Sequence, residues 1–329
     1  MKAVITGIDT KPAESLAFML EKIGYEVFML TDEAIRKYQE KGYKGGVTSD
    51  LLKSMGYNMA KIKPIDTVEG ADIFFDLKQR DLESMLKIYP EIRGALYIIN
   101  GGCDGYEDCG LYFPTITNNF WIKNAFHVWS PPVDDYTPKT EMGKDSPIGL
   151  LHNAYNWGYR DWINPIIEAT GLRIYGDNRS PAGKIQNTQV EELLTNANCF
   201  IHIKSSDCPG WALYEAFETA TPVVVPSLLA ARMKMEDLYI NGDTCMTWGD
   251  SVFKQDKKDP RIIIEDMENE MPKAVEEIKE IVEKLKDPEF NQKIGQQGYR
   301  HWKKLTEWTG EKEEALKQYL NDWSSSISN

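Results

Sequence analysis

The chain has 329 residues, 42% of them hydrophobic, with nine Trp and sixteen Tyr, and a formal net charge of -13. Its length exceeds one ordinary core and suits two domains of roughly 150 residues, and its apolar and aromatic content excludes a disordered chain. The acidic balance repels phosphate polymers and anionic lipid on average, so nucleic acid is not the default partner. Five cysteines without a CxxC pair and four scattered histidines argue against a disulfide framework and a zinc site. No run of eighteen apolar residues exists and MKAVITGIDT reads as a strand, so the expectation is a soluble, cytoplasmic protein without a membrane span.

In chain order, KAVIT is a short apolar run, followed by the turn-forming GIDTKP, the apolar-periodic SLAFMLEKIGY with Gly24 as helix stop, and the strand EVFMLT. Strand, helix and strand in about 30 residues predict a βαβ unit with a parallel sheet. The loop Gly7-Ile8-Asp9-Thr10 falls where a ligand site is expected, at a strand's carboxyl end, and it lacks the GxGxxG dinucleotide fingerprint. After the polar stretch YKGGVTSD come ADIFFDL, a helix through DLESMLKIY, GALYIIN and LYFPTITNNFW, further strands of the same sheet. The Pro- and charge-rich run SPPVDDYTPKTEMGKDSP predicts a linker.

Beyond it the alternation restarts. IGLLHNA, LRIYGD, CFIHIK and TPVVVPS read as strands, NTQVEELLTNA and LYEAFETA as helices, and DWINPIIEAT as an amphipathic segment. The tail from about Pro272 is helical and charge-rich, with an apolar stripe and no chemistry of its own. The predicted organisation is an N-terminal Rossmann-like domain over 1–130, a linker over 131–147, a second Rossmann-like domain over 148–305 and a C-terminal helix over 306–329 packing back on the first.

The chemistry concentrates in DCPGWALYE, residues 207–215. CFIHIK reaches a strand's carboxyl edge, Ser205-Ser206-Asp207 form the loop, and Pro209-Gly210 open a helix. The free N–H groups of that first turn, from Gly210 to Leu213, suit an anion, and Gly210 allows close approach to the backbone. Asp207 and Glu215 flank these donors as acceptor-only groups, fitting a ligand with hydroxyls at both ends and phosphate between, such as a nucleotide sugar. The plainer alternative is that Asp207 only caps the helix and Glu215 lies on its surface.

The run from Asp207 to Pro226, followed by MKMEDLYINGDTCMTW, resembles the donor-binding signature of retaining, GT-B-type glycosyltransferases (group 1, family 4-like). That signature reads Glu-Gly-Phe-Gly-x4-Glu-Ala, then Gly-x-Pro-Val-Val, then Glu-x4-Gly. Asp207 stands at the first Glu, Gly210 at the second Gly, Glu215-Ala216 at the second Glu-Ala, and Pro222-Val223-Val224 at Pro-Val-Val. SPPVDD resembles the family's interdomain linker and LKDPEFNQKIGQQGYRHWKKLTEW its C-terminal helices, so the likeness extends over roughly residues 130 to 320. It implies an α/β GT-B fold: two Rossmann-like domains facing across a cleft, with C-terminal helices crossing back.

The resemblance further implies transfer of a glycosyl group from a nucleoside diphosphate sugar to an acceptor hydroxyl, with retention and with no metal or other cofactor. The DxD motif of metal-dependent GT-A enzymes is missing, which agrees with the GT-B fold reading. Asp207 is assigned to the transferred sugar and Glu215 to the ribose, with Ser206, Cys208, Gly210, Trp211, Ala212, Leu213, Lys184, Ile185 and Lys204 around the donor. The family's Gly-Arg-x4-Lys diphosphate segment is represented by HNAYNWGYRDW, where Arg160 is the cation, a guanidinium able to hold two phosphate oxygens. Two departures stand out. Asp replaces the longer Glu at the head of the motif, and Cys208-Pro209 replace Gly-Phe.

The acceptor is expected on the first domain, near Gly7, Asp9, Asn118 and Asn119 at strand carboxyl edges. Its identity, the sugar, the base and the oligomeric state are not legible. Two alternatives stay open: a virus-type enzyme acting on a modified base in DNA, with nucleic acid as acceptor only, and a nucleotide-sugar-binding protein without turnover.

Overall fold

The computed structural model describes residues 1–6, 10–54, 61–76, 78–98, 108–118, 122–133, 135–151, 160–176, 180–202, 211–227, 238–249, 254–255, 262–263 and 267–327. For residues 10, 151, 160–162, 187, 254–255, 262–263, 267–270 and 324–327 only the backbone is described. Two compact units divide them: the first runs from Met1 to Val133 and takes in the tail from Thr306, and the second spans Asp135–Leu305.

The first unit is built from β1 (Lys2–Ile5), α1 (Thr10–Lys22), β2 (Glu26–Leu30), α2 (Asp32–Glu40), α3 (Ser49–Ser54), β3 (Lys63–Ile65), β4 (Ile73–Asp76), α4 (Gln79–Ile88), β5 (Arg93–Ile98), β6 (Thr115–Thr117) and β7 (Phe126–His127). Among the described residues its seven strands form one sheet in the order β3-β2-β1-β4-β5-β6-β7, and each adjacent pair is parallel. Near-continuous apolar runs such as Ala3-Val4-Ile5 and Ile73-Phe74-Phe75 are fully buried, as strands covered on both faces require. Gly24 ends α1 at φ +93°, with the Tyr25 N–H donating to the Leu20 carbonyl at 2.9 Å, the left-handed stop its position predicts.

Helix α2 is absent from the sequence reading, which passed over TDEAIRKYQE. Thr31 caps it, its hydroxyl accepting from the Ala34 N–H at 3.3 Å, and Asp32 and Glu33 occupy the first turn. The tail also belongs to this unit. In α10 (Gly310–Ile327), Tyr319 Oη accepts from the Thr115 N–H at 2.9 Å, the Leu320 carbonyl accepts from Arg93 at 2.5 Å, and Leu316 and Leu320 are buried.

The second unit holds β8 (Ile148–Leu151), α5 (Arg160–Thr170), β9 (Arg173–Gly176), α6 (Val190–Asn196), β10 (Phe200–Ile201), α7 (Trp211–Glu218), β11 (Val223–Pro226), β12 (Met246–Trp248), a short antiparallel pair β13 (Lys254–Gln255) and β14 (Ile262–Ile263), α8 (Met267–Lys284) and α9 (Pro288–Thr306). Its five-stranded parallel sheet has the order β12-β11-β10-β8-β9. After β8 the chain adds β9 on one side and β10 on the other, so the strand order reverses between β8 and β10. Ligands of open parallel sheets bind outside the carboxyl ends of strands at such a reversal. The loops that follow β8 and β10 therefore start at the position the fold favours for a site.

Candidate functional site

Helix α7 follows β10 and is only eight residues long, WALYEAFE. Leu213 to Glu218 are all buried, which a helix this apolar needs in order to persist. One face packs on α9: Tyr214 stacks on Trp302 with ring centroids 4.6 Å apart, and Phe217 lies 6.2 Å from the same indole. The helix ends in a Schellman arrangement, with the Thr221 N–H donating to the Ala216 carbonyl at 2.9 Å and the Ala220 N–H to the Phe217 carbonyl at 3.0 Å. Ala220 takes the left-handed position at φ 54° where Gly is usual.

Glu215 lies one turn into α7 and is only 4% exposed. It is not a surface residue, so the plainer reading of this position is corrected. A carboxylate is not buried without hydrogen-bond donors, because the desolvation cost is too large. Tyr136 supplies one: its hydroxyl donates to Glu215 Oε1 at 3.0 Å, from 79 positions earlier in the chain. Nothing in the sequence singles out Tyr136, which sits in the Pro- and charge-rich run. Glu218, also buried, and His202, buried just after β10, were likewise not foreseen as buried polar groups near the motif.

Residues 135–145 open the second unit and lie along the rest of it as a strap. The Thr137 N–H donates to Glu191 Oε1 at 2.8 Å, the Lys139 N–H to the Thr219 carbonyl at 3.0 Å, and Lys139 Nζ to the Ala197 carbonyl at 2.8 Å. The Lys139 carbonyl accepts from Gln296 Nε2 at 2.7 Å. A Cβ at Gly143 would stand 2.1 Å from the Ala197 oxygen, so only glycine permits this approach. Burial pulls the Lys139 amine down to about 8, and burial pushes the adjacent Cys199 thiol up to about 12. A groove of about 800 Å³ runs between the strap and α6, bordered by Thr137, Lys139, Lys144, Glu191 and Thr195. None of its lining residues is among those picked out in the sequence, and it does not include Glu215.

Of the sequence-predicted donor residues, Trp211, Ala212, Leu213 and Glu215 share α7. Lys184 and Ile185 sit just beyond β9, held by a bridge from Gly176 to Lys184 and by the Ile185 N–H donating to the Gly176 carbonyl at 3.2 Å. Ile185 is buried and Lys184 exposed. Arg160 opens α5, the helix that follows β8. Ser206, Asp207, Cys208, Gly210 and Lys204 lie outside the described residues, as do Gly7, Asp9 and Asn119 on the acceptor side. Asn118, in the first unit, is buried directly after β6. Among the described residues no group of three or more His, Cys, Asp or Glu is placed to hold a metal ion. No helix there is long and apolar enough to cross a membrane.

No protein-family model matches the sequence, and no curated protein matches it either. Among solved structures the chain is similar to sucrose-phosphate synthase from Thermosynechococcus elongatus, with a TM-score of 0.56 at 12% identity, over 99% of this chain and 98% of that one. It is also similar to AviGT4, a glycosyltransferase involved in avilamycin A biosynthesis, with a TM-score of 0.51 at 12% identity over 97% of both chains. The fold is GT-B. In this GT-B chain, the helix that carries Glu215 follows the strand at which the order of the second sheet reverses.

Proposed function

We propose that the protein is a glycosyltransferase that moves a sugar from a nucleoside diphosphate donor to an acceptor hydroxyl, with retention and without a metal. The observation that carries this reading is the buried, hydrogen-bonded Glu215 on α7, after the strand-order reversal of a GT-B second unit. In this reading Glu215 accepts the ribose hydroxyls and Asp207 the hydroxyls of the transferred sugar. The amides of Gly210 to Leu213 and the cations Arg160, Lys184 and Lys204 take up the charge that develops on the departing diphosphate, where preorganised donors lower the barrier most. The acceptor binds on the first unit, near Gly7, Asp9, Asn118 and Asn119.

A screen of nucleoside diphosphates and their sugars by thermal shift tests the donor. A ligand at 100 times its Kd stabilises the folded state by about 2.7 kcal/mol, which raises the melting temperature by several degrees. Glu215→Ala is expected to weaken nucleotide binding, and Asp207→Ala to reduce turnover more than binding of the bare nucleoside diphosphate. Wild-type behaviour of both variants, or no response to any nucleotide, refutes the assignment.

A further inference from the structure

The strap bears on the chemistry of Glu215 and not only on the stability of the unit. Of the residues on it, Tyr136 reaches Glu215, the carboxylate that the donor reading assigns to the ribose, and it does so with a neutral donor. A Lys or Arg at this point would neutralise the charge; a phenol contributes a single hydrogen bond. A directed hydrogen bond at Oε1 restricts the plane of the carboxylate. The phenol is itself held in place. Its neighbour Thr137 donates its N–H to Glu191 at the start of α6, and Lys139 is tied through three separate atoms to Thr219, Ala197 and Gln296. The Thr219 carbonyl that receives Lys139 lies at the end of α7 itself, and the Thr219 hydroxyl donates back to the Glu215 carbonyl at 2.9 Å. Side chain and backbone of Glu215 are thus both indexed to the same eleven-residue strap.

We propose that Tyr136 is a positioning residue for donor selection: it orients the Glu215 carboxylate to accept a vicinal diol, so that the site favours ribonucleotide over deoxynucleotide donors. This rests on the nucleotide-sugar reading above. A hydroxyl pair is recognised strongly only by acceptors fixed at the right angle, because a group free to rotate pays ordering entropy when the ligand binds. Tyr136→Phe removes one oxygen and keeps the ring.

The test measures, by calorimetry, the affinity of wild type and variants for ribonucleoside 5′-diphosphates and for the matching 2′,3′-dideoxynucleoside 5′-diphosphates. Wild type is expected to prefer the ribose form, and Glu215→Gln to lose most of that preference. Tyr136→Phe is expected to reduce it roughly tenfold, the size of one hydrogen bond to a charged group, with dideoxy affinity unchanged. A purely structural role for Tyr136 would lower both affinities together. Should Tyr136→Phe fold poorly, Glu191→Ala loosens the strap beside it and is expected to move the same ratio in the same direction by a smaller factor. A ribose preference left intact in Tyr136→Phe, or in Glu191→Ala where that variant stands in, overturns the positioning role while the donor reading stands. A preference unaffected by Glu215→Gln, or no nucleotide binding by wild type, overturns the donor reading and this proposal with it.

Discussion

Gly295 on α9 is the most exacting packing point behind the candidate site. A Cβ there would stand 2.2 Å from the Ala220 carbonyl oxygen, 3.1 Å from its carbon and 3.3 Å from Pro222 Cδ. Real Cβ contacts are essentially never closer than 3.0 Å, so Gly295→Ala forces a separation of at least 0.8 Å (3.0 minus 2.2). The obstructing atom is backbone, and it belongs to the left-handed residue of a Schellman turn held by the Ala220 and Thr221 N–H groups, so it cannot swing aside as a side chain would. Overpacking of this kind costs about 1–3 kcal/mol, and the rigid obstacle argues for the upper half of that range. Alanine recovers up to about 1 kcal/mol of helix propensity over glycine. The expected net loss is about 1–2 kcal/mol, read as a lower urea midpoint at unchanged m-value. Gly310→Ala is the control, since a Cβ at that first position of α10 meets nothing within 4 Å. It should be neutral or slightly stabilising. If Gly295→Ala were as stable as Gly310→Ala, α9 would not be seated on the end of α7 as described.

Lys139 gives a pH dependence with a definite sign. Burial pulls its amine down to about 8 in the folded chain from its ordinary 10.5, so between these limits the unfolded chain binds more protons and stability rises with pH. Relative to Lys139→Met, wild type should gain on the order of 3 kcal/mol across that window, the full shift converted at 1.36 kcal/mol per unit and therefore an upper value. Cys245, raised to about 12, pulls the other way above pH 9 in both proteins and cancels in the difference, whereas Cys199, also raised to about 12 by burial, is held lower by the Lys139 charge and rises further in the variant. Parallel stability curves for the two would remove the buried amine from the account. Tyr319→Phe strands the Thr115 N–H, which donates to the phenol at 2.9 Å, and should cost about 1–3 kcal/mol. Its signature is faster amide exchange at Thr115; unchanged protection there would show that the phenol does not tie α10 to β6.

What the sequence disclosed and what it hid follow from the range of the interactions. The parallel strands were legible because burial on both faces writes itself locally, as in Ala3-Val4-Ile5 or Val223-Val224-Val225. Gly24 was legible for the same reason, since a left-handed stop needs only its own residue. Helix α2 was missed because its apolar positions, Ala34, Ile35 and Tyr38, are diluted by charge, although Thr31 ahead of Asp32 and Glu33 is a capping signal that was there to be read. The strap was hidden more deeply. Tyr136, Lys139 and Gly143 sit in a run whose composition says linker, and their partners at Glu215, Ala197 and Thr219 are fixed by tertiary approach over tens of residues. Composition reports local solvation preference, and a polar strap satisfied by distant carbonyls and carboxylates has the same composition as a solvated loop.

The placement of Glu215 is therefore a tertiary property of a very short helix. Eight residues are too few for a helix to stand by propensity alone, so α7 takes its position from what covers it. One side is covered by an aromatic stack on Trp302, whose large buried apolar area supplies much of what holds the helix. The other is fixed by directed hydrogen bonds from Tyr136 and Lys139, which weaken steeply when misaligned. The aromatic stack thus sets how firmly the helix is held, and the strap sets where its carboxylate points. Changes in donor preference should then trace to the polar side of α7, and changes in stability to its aromatic side, even though the two faces are a few residues apart on the same two turns.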